Sequence, residues 1–276
     1  MKIKILYIFI LSLLFSNSYA QDFEKTGCNT AFTGNERLLY LANYRIGFIN
    51  VDIAVLSINT YLEKKDNKDT YKIHAIGEID SDYEWFFTMR DEYSVWLDKN
   101  NLKPLFFEND ILEGDYRYYS NYVYDWDSLK VHTIEKKLSW EKEKKRTYDI
   151  SNASYDALSM FFNLRVCDVD KFKVNQVFVL KLVFANRIRS VELTYKGKEV
   201  KRIPGLGKQN TIKFECQLAN DSGVSFEDGS SFSLWLSDDE NLIPLYIDSP
   251  IRVGSVRVRL YDAKGLRNPT KLKFRR

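Results

Sequence analysis

The segment Ser233-Leu234-Trp235-Leu236, followed by Asn241-Leu242-Ile243-Pro244-Leu245, has a counterpart in the first half of the chain. There, Ser94-Val95-Trp96-Leu97 is followed by Asn101-Leu102-Lys103-Pro104-Leu105. The correspondence extends to Ile111, Gly114 and Arg117, which return as Ile251, Gly254 and Arg257 at an offset of about 140 residues. A long ordered match of this kind indicates an internal duplication, with each copy about half of the chain.

The repeated residues describe a strand, a turn and a second, bent strand. Trp96 and Trp235 each place a large ring in the middle of a predicted strand. Pro104 and Pro244 lack an amide donor and therefore belong at a strand start or a sheet edge. Gly114 and Gly254 suit a bend or a bulge in the strand that follows. We therefore expect strongly curved sheets.

The rest of the chain also reads as β structure. It contains 18 Tyr and 18 Phe but few Gly and Pro, a composition that favours strands. Alternation predicts a strand in which Ile49, Val51, Ile53 and Val55 share one face. We predict a mainly β fold: two sequential curved antiparallel sheets, half-barrel or barrel-like, arising from an internal duplication. One short connecting helix is expected near residues 154–165, where Leu158 and Phe161-Phe162 have helical spacing.

The N-terminus resembles a secretory signal. Lys2 and Lys4 precede the apolar run Ile5 to Phe15, and Ser18-Tyr19-Ala20 provides a cleavage site. We expect a signal peptide over residues 1–20, cleavage after Ala20, and a periplasmic or secreted product. An uncleaved membrane anchor is the alternative. No later segment is apolar for long enough to cross a bilayer, so we do not expect an integral membrane protein. The expected units are residues 21–150 and 151–276.

Charge and cysteine content limit the possible functions. The chain has 41 basic and 38 acidic residues, a balance that argues against a general nucleic-acid-binding surface. Its three cysteines are Cys28, Cys167 and Cys216. An odd number provides no disulfide framework; any two of them could form a bridge, or Cys167 and Cys216 could be buried thiols.

Four segments resemble motifs of the bacterial exported family of unknown function DUF3108. Gly34 to Tyr40 resembles its G-E-x-L-x-Y opening, with Asn35 inserted, and Asp156 to Arg165 resembles its central helix motif. Gly197-Lys198-Glu199 resembles a G-x-E hairpin, and Trp235 to Gly254 resembles its tail motif. More distantly, the tail pattern is similar to lipoprotein-carrier-type periplasmic half-barrels, which hold acyl chains on a concave sheet. The family resemblance implies an exported β-protein and no particular activity, since a fold alone does not define function.

Motifs that would support catalysis are missing from the sequence. It has two histidines, His74 and His132, in strand-like contexts, and no hydrolase, phosphate-loop or zinc pattern. Asp238 and Asp239 lie in the tail motif, but a turn that satisfies its own backbone fits them better than a carboxylate pair. We expect a non-enzymatic protein with no cofactor and no metal; a carboxylate-based hydrolase is the least favoured alternative.

Aromatic side chains are concentrated in the first copy, between Tyr83 and Trp126. They fit a sheet core with cross-strand aromatic pairs best, and an apolar groove for a ligand is the competing interpretation. The speculative ligand-binding residues are Trp85, Phe87, Trp96, Tyr118 and Tyr122. The expected function is binding of a hydrophobic ligand or lipid. The alternative is a structural protein that pairs with another envelope protein.

Overall fold

The computed structural model describes residues 29–274, apart from residues 86–87, 220–225 and 252. This part of the chain contains fifteen strands and one α-helix, α1 (Ala157–Leu164). Strands β1 to β8 precede the helix: β1 (Arg37–Ile46), β2 (Ile49–Lys65), β3 (Lys68–Ile79), β4 (Met89–Asp98), β5 (Pro104–Glu113), β6 (Tyr116–Asp125), β7 (Lys130–Lys137) and β8 (Lys144–Asp149). The remaining strands are β9 (Ser154–Tyr155), β10 (Val177–Phe184), β11 (Arg187–Ile203), β12 (Gly207–Ala219), β13 (Phe226–Ser237), β14 (Pro244–Pro250) and β15 (Ser255–Lys264).

All fifteen strands belong to one continuous sheet, in the order β8-β7-β6-β5-β4-β3-β2-β1-β15-β14-β13-β12-β11-β10-β9. Neighbours are antiparallel, except that β9 runs parallel to β10. The predicted mainly β fold with a single connecting helix is confirmed. The two expected sheets are joined edge to edge, because β1 pairs with β15 from Arg37–Lys264 to Arg45–Ser255. We call this β1–β15 junction the seam.

The sheet curls until distant strands meet. The Thr133 hydroxyl of β7 donates a hydrogen bond of 2.8 Å to the Ala185 carbonyl, in the turn between β10 and β11. Tyr122 and Val131 from the first half share a buried cluster with Val183 from the second. Helix α1 packs inside this curl, and its Met160, Phe162 and Leu164 are buried.

The sequence repeat is visible as repeated structure. Strands β2–β5 and β11–β14 have the same order, and the register shifts directly after Trp96 in one copy and after Trp235 in the other. Trp96 Nε1 donates to a Glu63 carboxylate oxygen, and Trp235 Nε1 donates to Glu199 Oε1 at 2.6 Å. The two tryptophans therefore occupy equivalent positions. The division into units at residues 150 and 151 remains a prediction.

The helix is shorter than the predicted span because its start is set by Asp156. The Asp156 carboxylate accepts from the Ser159 amide at 2.9 Å, and the Ser159 hydroxyl in turn accepts from the Asp156 amide at 2.9 Å. This reciprocal capping box satisfies backbone donors that the first turn leaves unpaired. The preceding Ser154 and Tyr155 pair with β10 as strand β9 instead. No helix in the described residues is long and apolar enough to cross a membrane.

Candidate functional site

A buried ion pair lies at the C-terminal end of α1. Arg165 caps the helix, and its guanidinium makes two hydrogen bonds to the Glu36 carboxylate, at 2.5 and 2.8 Å. The side chains are 1% and 0% exposed. The rings of Phe32 and Phe162 lie 5.3 and 5.1 Å from the guanidinium carbon. Bidentate geometry of this kind fixes orientation as well as charge.

The same helix end is held by both copies of the repeated turn. Arg165 Nε donates to the Asn241 backbone carbonyl at 3.0 Å. The side-chain nitrogen of Asn163, Nδ2, donates to the Leu102 backbone carbonyl at 3.0 Å. Leu102 and Leu242 are equivalent residues of the repeat, and both have a positive φ, 58° and 44°. Three family-like motifs thus meet at α1: the opening segment through Glu36, the helix itself, and the tail through Asn241.

A cavity of about 120 Å³ lies beneath α1 at the seam. Four adjacent strands, β2, β1, β15 and β14, form one wall, and the helix forms the other. The lining is almost entirely apolar, so the space suits a hydrophobic group. The lining residues are Leu38, Tyr40, Leu56, Ile58, Leu158, Phe161, Phe162, Arg165, Pro244, Ile247 and Val258.

The strand wall of the cavity includes Tyr40, whose buried hydroxyl makes no hydrogen bond to the described residues. Burial raises the Tyr40 pKa well above its usual value; the nearby Arg165 charge opposes this shift, and the Glu36 charge adds to it. The hydroxyl is therefore a neutral donor next to an ion pair that is already satisfied.

The four sequence-predicted ligand residues that the structure describes do not line this cavity. Trp85 is 84% exposed, and Phe87 lies outside the described residues. Trp96 packs edge-on against Phe106 at 5.2 Å, under the ammonium groups of nearby lysines. Tyr122 stacks on Phe107 at 4.7 Å within the buried core. The Tyr118 hydroxyl donates to Glu135 at 3.1 Å. The four described side chains lie at different places in the sheet, and the role of all five residues in binding stays a prediction.

The prolines and glycines of the repeat lie at strand starts and in turns. Pro104 and Pro244 are the first residues of β5 and β14, as expected from their missing donor. Gly114 and Gly254 lie in the turns after β5 and β14, with positive φ values of 56° and 89°. At Gly254 an added Cβ would lie 2.2 Å from the Arg45 carbonyl oxygen, so a side chain cannot be accommodated without backbone movement.

Asp238 and Asp239 lie in the turn between β13 and β14. Asp239 accepts hydrogen bonds from the Asn241 amide at 3.1 Å and the Ser237 hydroxyl at 2.7 Å. Asp238 forms an ion pair with Lys198 at 3.0 Å. Within the described residues, no group of three or more His, Cys, Asp or Glu side chains is placed to hold a metal ion.

Two of the cysteines are buried in one core cluster. Cys167 and Cys216 both belong to the cluster between α1 and the second half of the sheet. Burial raises the pKa of the Cys216 thiol well above its usual value. Cys28 lies outside the described residues, so the choice between a disulfide and buried thiols stays open.

Sequence reasoning did not identify the cavity. Glu36, Arg165 and Pro244 stood in recognised motifs, but nothing marked Leu56, Ile58 or Val258 as a binding surface. Each is an ordinary apolar strand residue. Only the pairing of β1 with β15 brings these strands together beneath one helix. A signal for this could have come from covariation between the two ends of the chain.

Comparisons with known proteins agree with this architecture. A crystal structure of a beta-barrel-like protein of the domain of unknown function DUF1849 from Brucella abortus is similar, with a TM-score of 0.54 and 11% identity. The similarity covers 85% of this chain and 98% of that chain, and at this identity it shows the fold alone. The comparison with curated proteins gives no match. The family model described as "Protein of unknown function (DUF3108)" matches residues 39–261, and the chain therefore belongs to that family.

Proposed function

We propose that this protein is exported and binds a hydrophobic ligand, or the apolar end of a lipid, in the seam cavity, without catalysing a reaction. The observation that carries the proposal is the apolar space between α1 and the four central strands. Close-packed interiors contain few voids of this size. A cavity placed where both halves of the chain meet the helix is therefore a good candidate for a binding site.

The size of the cavity limits what it can hold. An engineered apolar cavity of about 150 Å³ stays dry and binds benzene or xenon. A volume of about 120 Å³ fits a group of similar size or the terminal carbons of an acyl chain. A longer chain would have to extend along the inner surface of the curled sheet, beyond the lining described above.

Binding can be tested with a small apolar probe. Methyl-labelled protein titrated with benzene should show saturable chemical-shift changes at Leu56, Ile58 and Ile247. Val258→Phe would place a ring in the cavity and should abolish these changes. Val256→Phe is the matched control, because Val256 lies two residues away on the same strand and does not line the cavity. An unchanged response in Val258→Phe, or no response in the parent protein, would refute binding at this site.

Export is tested independently of binding. If the signal peptide is removed after Ala20, intact-mass measurement of protein purified from the native envelope should give a chain beginning at Gln21. A chain that retains residues 1–20 would support the anchor alternative.

A scaffolding role is favoured by one separate observation. Phe48, at the tip between β1 and β2, is 100% exposed, and Ile251 and Val253 at the tip between β14 and β15 are also exposed. The Tyr44 hydroxyl donates to the Val253 carbonyl at 3.1 Å, which brings the two tips together. Exposed apolar clusters often mark contact sites. Photo-crosslinking from position 48 in the native envelope would yield a discrete protein adduct if this tip is an interface, and none if it is not.

A further inference from the structure

We propose that the hairpin tips at one end of the seam dock on the surface of a membrane that contains anionic phospholipids. We call two segments the seam tips: residues 44–51, around the turn between β1 and β2, and residues 249–256, around the turn between β14 and β15. Docking of the tips goes beyond the proposed function, because it provides a surface from which a hydrophobic ligand can reach the seam cavity. Membrane binding by the tips does not itself require a ligand in the cavity.

The seam tips present large apolar side chains to solvent. Phe48 is 100% exposed, and Val253 and Ile251 are 55% and 41% exposed. The hydrogen bond from the Tyr44 hydroxyl to the Val253 carbonyl holds the two tips side by side, at the end of the β1–β15 pairing. Grouped exposed apolar side chains of this kind mark a contact site for a membrane or another protein.

The charge of the seam tips favours an anionic surface. Their sequence contains two arginines, Arg45 and Arg252, and no acidic residue. Binding to a lipid surface is strengthened both by buried apolar area and by basic residues that attract anionic lipids. The turns at the opposite end of the same strands, residues 65–68 and 238–240, contain only charged and amide residues. The combination of apolar and basic residues is therefore confined to one end of the seam.

An apolar track connects the seam tips to the seam cavity. Directly paired residues of antiparallel strands share a face of the sheet, so Ala42 lies on the same face as its partner Val258, which lines the cavity. Nearer the tips, the next row on this face consists of Val51, Tyr44 and Val256. All five side chains except that of the cavity-facing partner lie outside the cavity lining and cover the sheet between the cavity and the tips.

The opposite face of the same strands is polar. Asn43 pairs with Asp52 on one side and with Arg257 on the other. A lipid chain that leaves a bilayer at the seam tips therefore meets apolar side chains only on the face that leads to the cavity. The step from Gly254 to Val258 is about 13 Å at the usual rise of a strand. This short apolar connection favours a lipid surface over a protein partner as the occupant of the tips.

Vesicle flotation tests docking with the mature protein, beginning at Gln21. Vesicles of phosphatidylcholine are compared with vesicles of an equimolar mixture of phosphatidylcholine and phosphatidylglycerol. We expect the anionic vesicles to be bound about 25-fold more tightly, because each of the two arginines contributes a factor of about five. Equal binding to both kinds of vesicle, or binding to neither, would overturn the inference.

Phe48→Glu should abolish vesicle binding, because it places a charge in the apolar contact. Val200→Glu is the matched control: Val200 is 64% exposed and lies near the end of β11 that is farthest from the seam tips. It adds the same charge elsewhere and should bind vesicles like the parent protein. Arg45→Gln should weaken binding to anionic vesicles about fivefold and leave binding to phosphatidylcholine unchanged. Flotation of Phe48→Glu at the parent level would contradict docking by the tips.

Val258→Phe separates docking from binding in the cavity. It places a ring in the cavity and leaves the seam tips unaltered, so its affinity for vesicles should equal that of the parent protein. Benzene-induced shifts in the parent without vesicle binding would overturn docking and leave the proposed function standing. Vesicle binding without benzene-induced shifts would support docking and refute binding in the cavity. A discrete protein adduct from position 48, together with no vesicle binding, would assign the seam tips to a protein partner instead.

Discussion

Arg165 connects parts of the chain that are far apart in sequence. Its guanidinium contacts the opening segment through Glu36 and the tail turn through Asn241, while its backbone ends α1. Each contact is made in the absence of solvent, where unpaired charge is expensive. Glu36 and Arg165 lie in separate motifs, and each neutralises the buried charge of the other. Neither residue has to act on a ligand for the pair to be required.

Breaking this pair should be strongly destabilising. We expect Arg165→Met to lower the free energy of unfolding by about 3–5 kcal/mol, because Glu36 would remain buried and unpaired. Urea unfolding followed by far-ultraviolet circular dichroism measures the change. The double variant Glu36→Leu, Arg165→Met removes both charges and should recover a substantial part of the loss. A double variant less stable than Arg165→Met would contradict the charge argument.

The repeated tryptophans allow a paired test of the duplication. Trp235 is buried, donates to Glu199, and lies under the ammonium group of Lys201 at 3.7 Å. We expect Trp235→Ala to cost about 3–5 kcal/mol of stability. Trp96→Ala should cost a similar amount, since its Glu63 contact and flanking lysines are equivalent.

The exposed Trp85 provides the control for both tryptophan variants, because exposed substitutions usually change stability by less than about 0.5 kcal/mol. All three variants are compared in the same urea titration. A loss below about 1 kcal/mol for Trp235→Ala would mean that its ring is not an anchor of the tail strands.

Single helices and strands could be predicted where the spacing of apolar residues determines the type of secondary structure. The helix was expected from apolar spacing, and the capping box at Asp156 and Ser159 refines its start. Strand β2 was expected as well, but the predicted shared face of Ile49 to Val55 is interrupted. The pairing of β1 with β2 shifts between Ala42 and Asn43, which leaves Ile53 as an extra residue. A bulge of this kind reverses the alternation and turns Leu56 and Ile58 towards the cavity.

The N-cap of α1 should make stability depend on pH. Burial raises the Asp156 pKa from its usual 3.8 to about 6, against the lowering effect of the Ser159 hydrogen bonds. The folded state therefore binds this proton more tightly than the unfolded chain. Linkage then requires that the contribution of Asp156 is present below about pH 4 and is lost as pH rises through about 6.

Asp156→Asn isolates this effect because asparagine retains a capping oxygen but does not titrate. We expect the free energy of unfolding of the variant to fall less steeply than that of the parent between about pH 4 and pH 6. Asp91, whose pKa burial also raises to about 6, titrates in both proteins and cancels in the comparison. Parallel pH profiles would show that the Asp156 carboxyl does not titrate in this range.

The molecule as a whole shows what local patterns leave undetermined. Repeated residues predicted two similar β segments and a helix between them. The same patterns fit two separate sheets or one joined sheet, because β1 and β15 are complete strands in either arrangement. Pairing between the first and last strands is set by the edges that remain open after each meander has formed. The cavity is a product of that pairing, and none of its lining residues belongs to the aromatic-rich segment between Tyr83 and Trp126.

This dependence leads to a prediction about the two expected units, residues 21–150 and 151–276. Each contributes one strand to the seam, and each contributes to the buried pair through Glu36 or Arg165. Expressed separately, each fragment would leave its seam strand, β1 or β15, with an unpaired edge. Each would also leave one member of the ion pair, Glu36 or Arg165, without its partner. We expect neither to give a dispersed amide NMR spectrum alone, and a mixture of the two to recover native-like dispersion. Two fragments that fold independently would show that the seam is an interface between autonomous domains, and the cavity at their junction would then be free to open by separation of the halves.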